Sequence, residues 1–241
     1  MKNTLIVENN LGSYVSFVET QLRKGYEFIS FSELSRPKKQ IILRHDVDFD
    51  CQLAYQLAQL EENMGVKSTY FFLVSSDSYN VASKANFEAI KAIQGLGHTI
   101  SIHFDPTVYT DFSKGLEVEV AFFEHFFDTK VNTISIHRPN SFFLEYDSPI
   151  MGIEHAYQSK YFKNIKYFAD STGEWRYGHP FESEEFEQGK TLQILIHPIW
   201  WVINGSSNLD KLKSYYAQKK IVMKEHIANN CKPFRDIYGE L

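Results

Sequence analysis

Cysteine is nearly missing: Cys51 and Cys231 are the only two in 241 residues. They lie far apart and outside any CxxC pair, so neither a disulfide framework nor a zinc-thiolate knuckle is available. Basic excess is missing too. The 25 Lys and Arg are outnumbered by 30 Asp and Glu, a formal charge of -5, which speaks against a general nucleic-acid binder. No run of Lys and Arg suggests an anionic membrane surface. No stretch approaches the roughly 20 apolar residues that span a bilayer. The opening "MKNTLIVENN" is too short in its apolar part for a secretory signal, and Glu8 interrupts it. The compartment expected is the cytoplasm. Low-complexity linkers and fixed-period repeats are likewise absent, so residues 1–241 are expected to form a single domain, with 1–40 as a lead-in segment.

What is present is ample core material and a regular alternation. Hydrophobic residues make up 43% and aromatics 15%, enough to bury a sizeable core. "IILRHD" (41–46), "STYFFLV" (68–74), "HTISIH" (98–103), "NTISIH" (132–137), "KYFAD" (166–170) and "LQILIH" (192–197) read as strands. Between them, apolar residues recur at helical spacing: Leu53, Leu57, Leu60 and Met64; Phe87, Ile90 and Ile93; Leu116, Val120, Phe123 and Phe127. A lead-in helix from Tyr14 to Arg23, a short strand from Tyr26 to Ile29 and a final helix from Leu209 to Asn229 complete the reading. Repeated strand–helix units imply a parallel sheet flanked by helices. At this length a distorted (β/α) barrel of about seven strands is the first expectation, and an open doubly wound sheet the second.

Ionisable residues collect where these strands end. Asp46 and Asp48 close the first clear strand, His103 the third, His137 and Arg138 the fourth, Asp170 the fifth and His197 the last. In a parallel α/β fold those ends share one rim, the place where active sites are built. Two carboxylates among several imidazoles suit a divalent metal ion, zinc first among them. Such a cation would also relieve the repulsion between Asp46 and Asp48. Their period-two spacing points both carboxylates to one side of the strand, and His45 to the other. One aspartate can then ligate while its neighbour accepts a proton from water. Other polar residues read as structural. His98 supports a strand start, Asp50 caps a helix, Glu61 and Glu62 form a solvated helix face, and His125 and His226 are solvated. His45-Asp46 as the metal-binding dipeptide of helical phosphohydrolases is rejected, since "IILRHDV" is strand-like.

In these residues the chain resembles the polysaccharide deacetylase superfamily, the chitin-deacetylase-like enzymes of carbohydrate esterase family 4. The resemblance runs in order from about Ile41 to Trp201. "RHDVD" resembles the first motif and implies Asp46 as catalytic base and Asp48 as metal ligand. "LGHTISIHFD" resembles the second, whose "GHEIGNH" lines up with Gly97 to His103 and implies His103 as a ligand. "HRPN" resembles the Arg-Pro motif, implying that Arg138 holds the base. "ADSTGEWR" resembles the fourth motif and implies Asp170 in the catalytic set and Trp175 as a substrate-binding residue. "LIHPIWW" implies that His197 protonates the leaving amine, with Trp200 or Trp201 placed to stack on a sugar ring. The chain departs from the pattern at Thr107, where the family carries its second metal-site histidine. His137 is the preferred replacement, with Asp105 or a water as rivals. The resemblance implies a metal-dependent hydrolase that removes an acyl group, expected to be acetyl, from a carbohydrate or sugar precursor. The alternative is a non-catalytic carbohydrate-binding protein on the same barrel.

Overall fold

Residues 9–34 and 39–237 are described by the structure, a computed structural model. In chain order the elements are α1 (Tyr14–Arg23), β1 (Glu27–Ile29), β2 (Gln40–Val47), α2 (Cys51–Asn63), β3 (Thr69–Phe72), α3 (Lys84–Gly95), β4 (Thr99–Phe104), α4 (Phe112–Phe127) and β5 (Thr133–Ile136). There follow α5 (Ser141–Glu145), β6 (Glu154–His155), α6 (Ser159–Phe162), β7 (Lys166–Ala169), α7 (Glu184–Glu187), β8 (Leu192–Ile196), α8 (Ile199–Val202), α9 (Asn208–Asn230) and α10 (Lys232–Asp236). Local chemistry sets several boundaries. Ser13 and Asp50 cap α1 and α2 by accepting from the backbone N–H of Ser16 and Gln52. Gly65, at φ +71°, follows the end of α2 in a left-handed conformation that a side chain would resist.

Every strand pairing is parallel, in the order β6-β5-β4-β3-β2-β8-β7, with β1 alongside the start of β2. The lead-in strand is thus an eighth member of the sheet, and the two-residue β6 had no sequence signal. No pairing joins β6 to β7 among the described residues. The result is a half-barrel rather than a closed ring.

Two hydrogen bonds measure the curl. Ser135 Oγ on β5 donates to Asp46 Oδ2 on β2 at 2.8 Å, although three strand steps would separate them by about 14 Å in a flat sheet. Gln193 on β8 donates to the Ala156 carbonyl, just past β6, at 3.1 Å; flat, those strands would lie about 24 Å apart.

The period-two alternation of β2 divides the core. Ile42 points inward and packs with Ile29, Phe31, Phe71, Ala156 and Tyr161, which plug the barrel beneath the mouth. Ile41 and Leu43 point outward, with Leu192, Ile194 and Ile196, against Phe17 and Val18 of α1 and Leu53 and Leu57 of α2. On the other flank, Ile100, Ile102, Ile134 and Ile136 meet Ile90 and Ile93 of α3 and Phe123 and Phe127 of α4. A sheet covered on both faces needs strands buried throughout, and all eight residues of β2 are.

Glu61 corrects one expectation. It is fully buried, not solvated. It lies one turn beyond Leu57, on the sheet-facing side of α2, and accepts from Tyr14 Oη, Ser68 Oγ (2.6 Å) and Tyr70 Oη (2.8 Å) while contacting His45 Nε2 at 2.7 Å. Burial alone would raise its pKa; the facing His45, His98 and Ser68 hold it down at about 2. Glu62, one residue on, is exposed as expected.

Candidate functional site

The inward face of β2 continues upward from Ile42 through Arg44 and Asp46 to Asp48, each two residues on. β4 adds His103, opposite Ser135 in the register of β4 and β5. His137 then extends β5 by one more inward step. Its N–H donates to the Phe104 carbonyl at 2.7 Å, which fixes it beside His103. β8 delivers His197 from the far side. Asp46, Asp48, His103, His137 and His197 line a cleft of about 430 Å³ at the C-terminal ends of the strands.

Three donor atoms converge there. His103 Nε2 lies 3.2 Å from Asp48 Oδ1, His137 Nδ1 lies 3.6 Å from the same oxygen, and the two nitrogens are 3.0 Å apart. Zinc bonds of ~2.0–2.1 Å at tetrahedral angles put neighbouring donors about 3.3–3.4 Å apart, and the three separations bracket that figure. Asp48 Oδ1 is buried without a hydrogen-bond partner. Two imidazoles and a carboxylate are also the donor types that such ions take. The residues fit a divalent cation. Burial acts to raise the Asp48 pKa, but the facing imidazoles of His103 and His137 and the His197 charge hold it well below the usual carboxylate range.

Asp105 is occupied elsewhere. Its Oδ1 accepts from the Thr107 N–H at 2.9 Å and from the Thr107 hydroxyl at 2.6 Å, capping a short turn. The residue that departs from the motif closes onto Asp105, and His137 stands in the donor set.

Asp46 is held on one side only. Its Oδ2 accepts from Ser135 Oγ and faces Arg44 Nη2 at 3.5 Å, while Oδ1 is buried and unpartnered. The guanidinium beside Asp46 is therefore that of Arg44. Arg138 is exposed on the rim, at φ +47°, and makes no contact with Asp46. The left-handed backbone after β5 turns it away from the barrel interior. Arg44 is fully buried, donates to Tyr157 Oη at 2.9 Å, and has its guanidinium carbon 4.8 Å from the centre of the Tyr157 ring and 5.8 Å from that of Tyr167.

Opposite them, Asp170 is wholly buried and positions His197. Its oxygens accept from the His197 N–H, from His197 Nδ1 at 2.6 Å and from Trp201 Nε1 at 2.7 Å. With Nδ1 committed, Nε2 faces the cleft, 3.9 Å from Asp48 Oδ2. Burial acts to lower the imidazole pKa, but the charge and hydrogen bond of Asp170 raise it to about 9. The His197 imidazole is thus held in its charged form near neutrality.

The tryptophans divide three ways. Trp200 lines the cleft. Trp201 is buried behind Asp170. Trp175 stacks on Phe17 at 5.5 Å in the outer core and does not line the cleft; its distance along the chain from Asp170 carries it past the rim. The aromatic wall comes instead from Phe162, Tyr167 and Tyr177. Sequence reading overlooked Arg44 and Ser135, yet both stand two residues before a recognised site residue on the same strand face. Tyr157 and Tyr167 carried no comparable signal. His45 and His98 are structural, bonded to Glu61 and to the Ala58 carbonyl, and His125 and His226 are exposed.

No family model matches the chain, and no curated protein does. Fourteen chains of solved structures match. One is the peptidoglycan deacetylase PdaC from Bacillus subtilis, at 14% identity and a TM-score of 0.44, covering 81% of this chain and 96% of that one. Another is a family 4 carbohydrate esterase from Bacillus anthracis, at 13% identity and a TM-score of 0.44, covering 87% and 86%. A third is BA3943, a CE4 family pseudoenzyme from Bacillus anthracis, at 15% identity and a TM-score of 0.41, covering 80% and 67%.

Proposed function

We propose that the protein is a metal-dependent deacetylase that removes an N-acetyl group from an amino sugar or a sugar precursor. The observation that carries this reading is the convergence of Asp48, His103 and His137, whose donor atoms all lie within 4.8 Å of one another, between a tethered aspartate and a charged histidine. Asp48 Oδ1, His103 Nε2 and His137 Nδ1 would hold the ion, with zinc the first choice. When bound, such a cation supplies Lewis acidity, polarising a carbonyl and acidifying water.

The chain's own groups do the rest. Asp46 Oδ1, free while Ser135 and Arg44 hold Oδ2, accepts the proton of the attacking water. His197 Nε2 donates a proton to the departing nitrogen, so that an amine leaves rather than an amide anion. Asp170 keeps His197 in the tautomer and orientation for that transfer. Trp200, Tyr167 and Tyr177 offer aromatic surface to a sugar ring.

A non-catalytic carbohydrate-binding role is the second reading, resting on Thr107 where the family carries a histidine. His137 in the donor set supports hydrolysis over it. The test is acetate release by zinc-loaded protein from a panel of N-acetylated amino sugars, with and without a chelator. Chelator-sensitive release is expected. Protein that holds its metal and releases no acetate from any sugar would favour the binding role. No helix among the described residues is long and apolar enough to cross a membrane.

A further inference from the structure

Arg138 is left without the task its motif implies, because Arg44 serves Asp46 from inside the barrel. It is exposed, lines the cleft, and no carboxylate holds it among the described residues. Its backbone is left-handed, at φ +47°. On the other jaw of the cleft, after β7, Thr172 is also left-handed, at φ +60°. Its hydroxyl accepts from Arg176 Nη2 at 3.1 Å, drawing a second exposed guanidinium to the rim. Left-handed backbone is costly for residues with a Cβ and gathers at ligand clamps. Of the four non-glycine residues with positive φ among those described, Arg138 and Thr172 flank this one cleft.

Charge points the same way. Among the described residues the only carboxylates lining the cleft are Asp46 and Asp48; Asp48 belongs to the donor set and Asp46 lies beside it. The one guanidinium lining the cleft, that of Arg138, thus stands at a rim without a carboxylate, on a chain whose formal charge is -5. A neutral sugar would leave Arg138 with nothing but water. Guanidinium groups match phosphate and carboxylate oxygens in bidentate geometry, and such pairs are the stronger kind of hydrogen bond.

We infer that the substrate sugar carries an anionic group, phosphate or carboxylate, gripped by Arg138 on one jaw and by Thr172 and Arg176 on the other. This rests on the deacetylase reading for the acetyl group and on the rim residues for the anion.

Calorimetric titration of zinc-loaded protein tests it with four probes: N-acetylglucosamine, its 1-phosphate, its 6-phosphate and N-acetylmuramic acid. At least one charged sugar should bind about ten- to a hundredfold more tightly than the neutral one. Arg138→Gln should remove most of that preference, and Arg138→Lys should retain part of it. The phosphate and carboxylate arms then tell the two anions apart. Equal affinity for neutral and charged sugars overturns the inference, as does failure of every charged probe to bind. A preference that survives Arg138→Gln also overturns it, since the anion would then be riding on the metal. Acetate release from the same mixtures separates the two claims. Release without an anion preference sinks only the clamp. An Arg138-dependent preference with no release from any sugar sinks only the deacetylase.

Discussion

Arg44 Nη2 lies 3.5 Å from Asp46 Oδ2, two residues along the same strand and both inside the barrel. A fully buried guanidinium is costly unless paired. Here the pairing comprises Asp46, the Tyr157 hydroxyl and the faces of two tyrosine rings. Burial acts to lower its pKa, yet Asp46 and the two tyrosines raise it, so it stays charged. The arrangement tethers one oxygen of Asp46 and leaves the other without a partner.

Arg44→Gln and Ser135→Ala should therefore lower kcat while leaving KM and zinc content close to wild type. Groups that orient a catalytic residue in this way are worth about 10–100-fold. Asp46→Asn, nearly isosteric but unable to accept the proton, should retain metal and lose about 10²–10⁴-fold in turnover. Steady-state kinetics alongside metal analysis would check all three. Wild-type turnover in Asp46→Asn would move the base elsewhere, with His197 the next candidate.

His197→Gln should slow amide hydrolysis far more than hydrolysis of an activated aryl acetate, because a phenolate leaves without a proton. Asp170→Asn should act in the same sense through His197. Equal losses on both substrates would show that His197 does something other than protonate the leaving group.

Glu61 makes a prediction about stability. Glu61→Ala strands Tyr14, His45, Ser68 and Tyr70 in the core, and loss of a buried charged partner costs roughly 3–5 kcal/mol. A solvated glutamate would cost within about 0.5 kcal/mol. Its folded pKa of about 2 is depressed below the unfolded value. The stabilisation is thus complete above the unfolded pKa of roughly 4.3 and is lost as pH falls toward 2. Urea unfolding at pH 7 and at pH 3 should show wild type losing more stability than the variant between the two. Parallel behaviour of the two proteins would contradict the assignment.

The parts of this molecule that could be read in the sequence are those with a period. β2, β4, β5, β7 and β8 were visible as apolar runs, and the ionisable residues at their ends pointed to one mouth. Asp48, His103 and His137 do meet there. What escaped reading depends on contacts between distant segments. Nothing in "EEN" tells that Glu61 turns inward, because its partners come from α1, β2 and β3. The resemblance of "ADSTGEWR" implies Trp175 at the mouth, but the chain carries it out to Phe17. The exchange of Arg138 for Arg44 follows from the curl, which brings Tyr157 under the guanidinium and gives it a place in the interior.

Thermal melting offers an independent view of the donor set. A cation that binds the folded state alone stabilises it by mass action, about 2.7 kcal/mol at a hundredfold excess over Kd. Zinc should raise the Tm of wild type and of Asp105→Ala, and should leave that of Asp48→Ala nearly unmoved. A comparable rise in Asp48→Ala would place the cation elsewhere.

Metal content is the most direct measurement. Protein purified without chelator and dialysed against limiting zinc should hold one equivalent. Asp105→Ala should hold the same, and His137→Ala should lose stoichiometric binding. A full equivalent bound by His137→Ala with wild-type affinity would contradict the account.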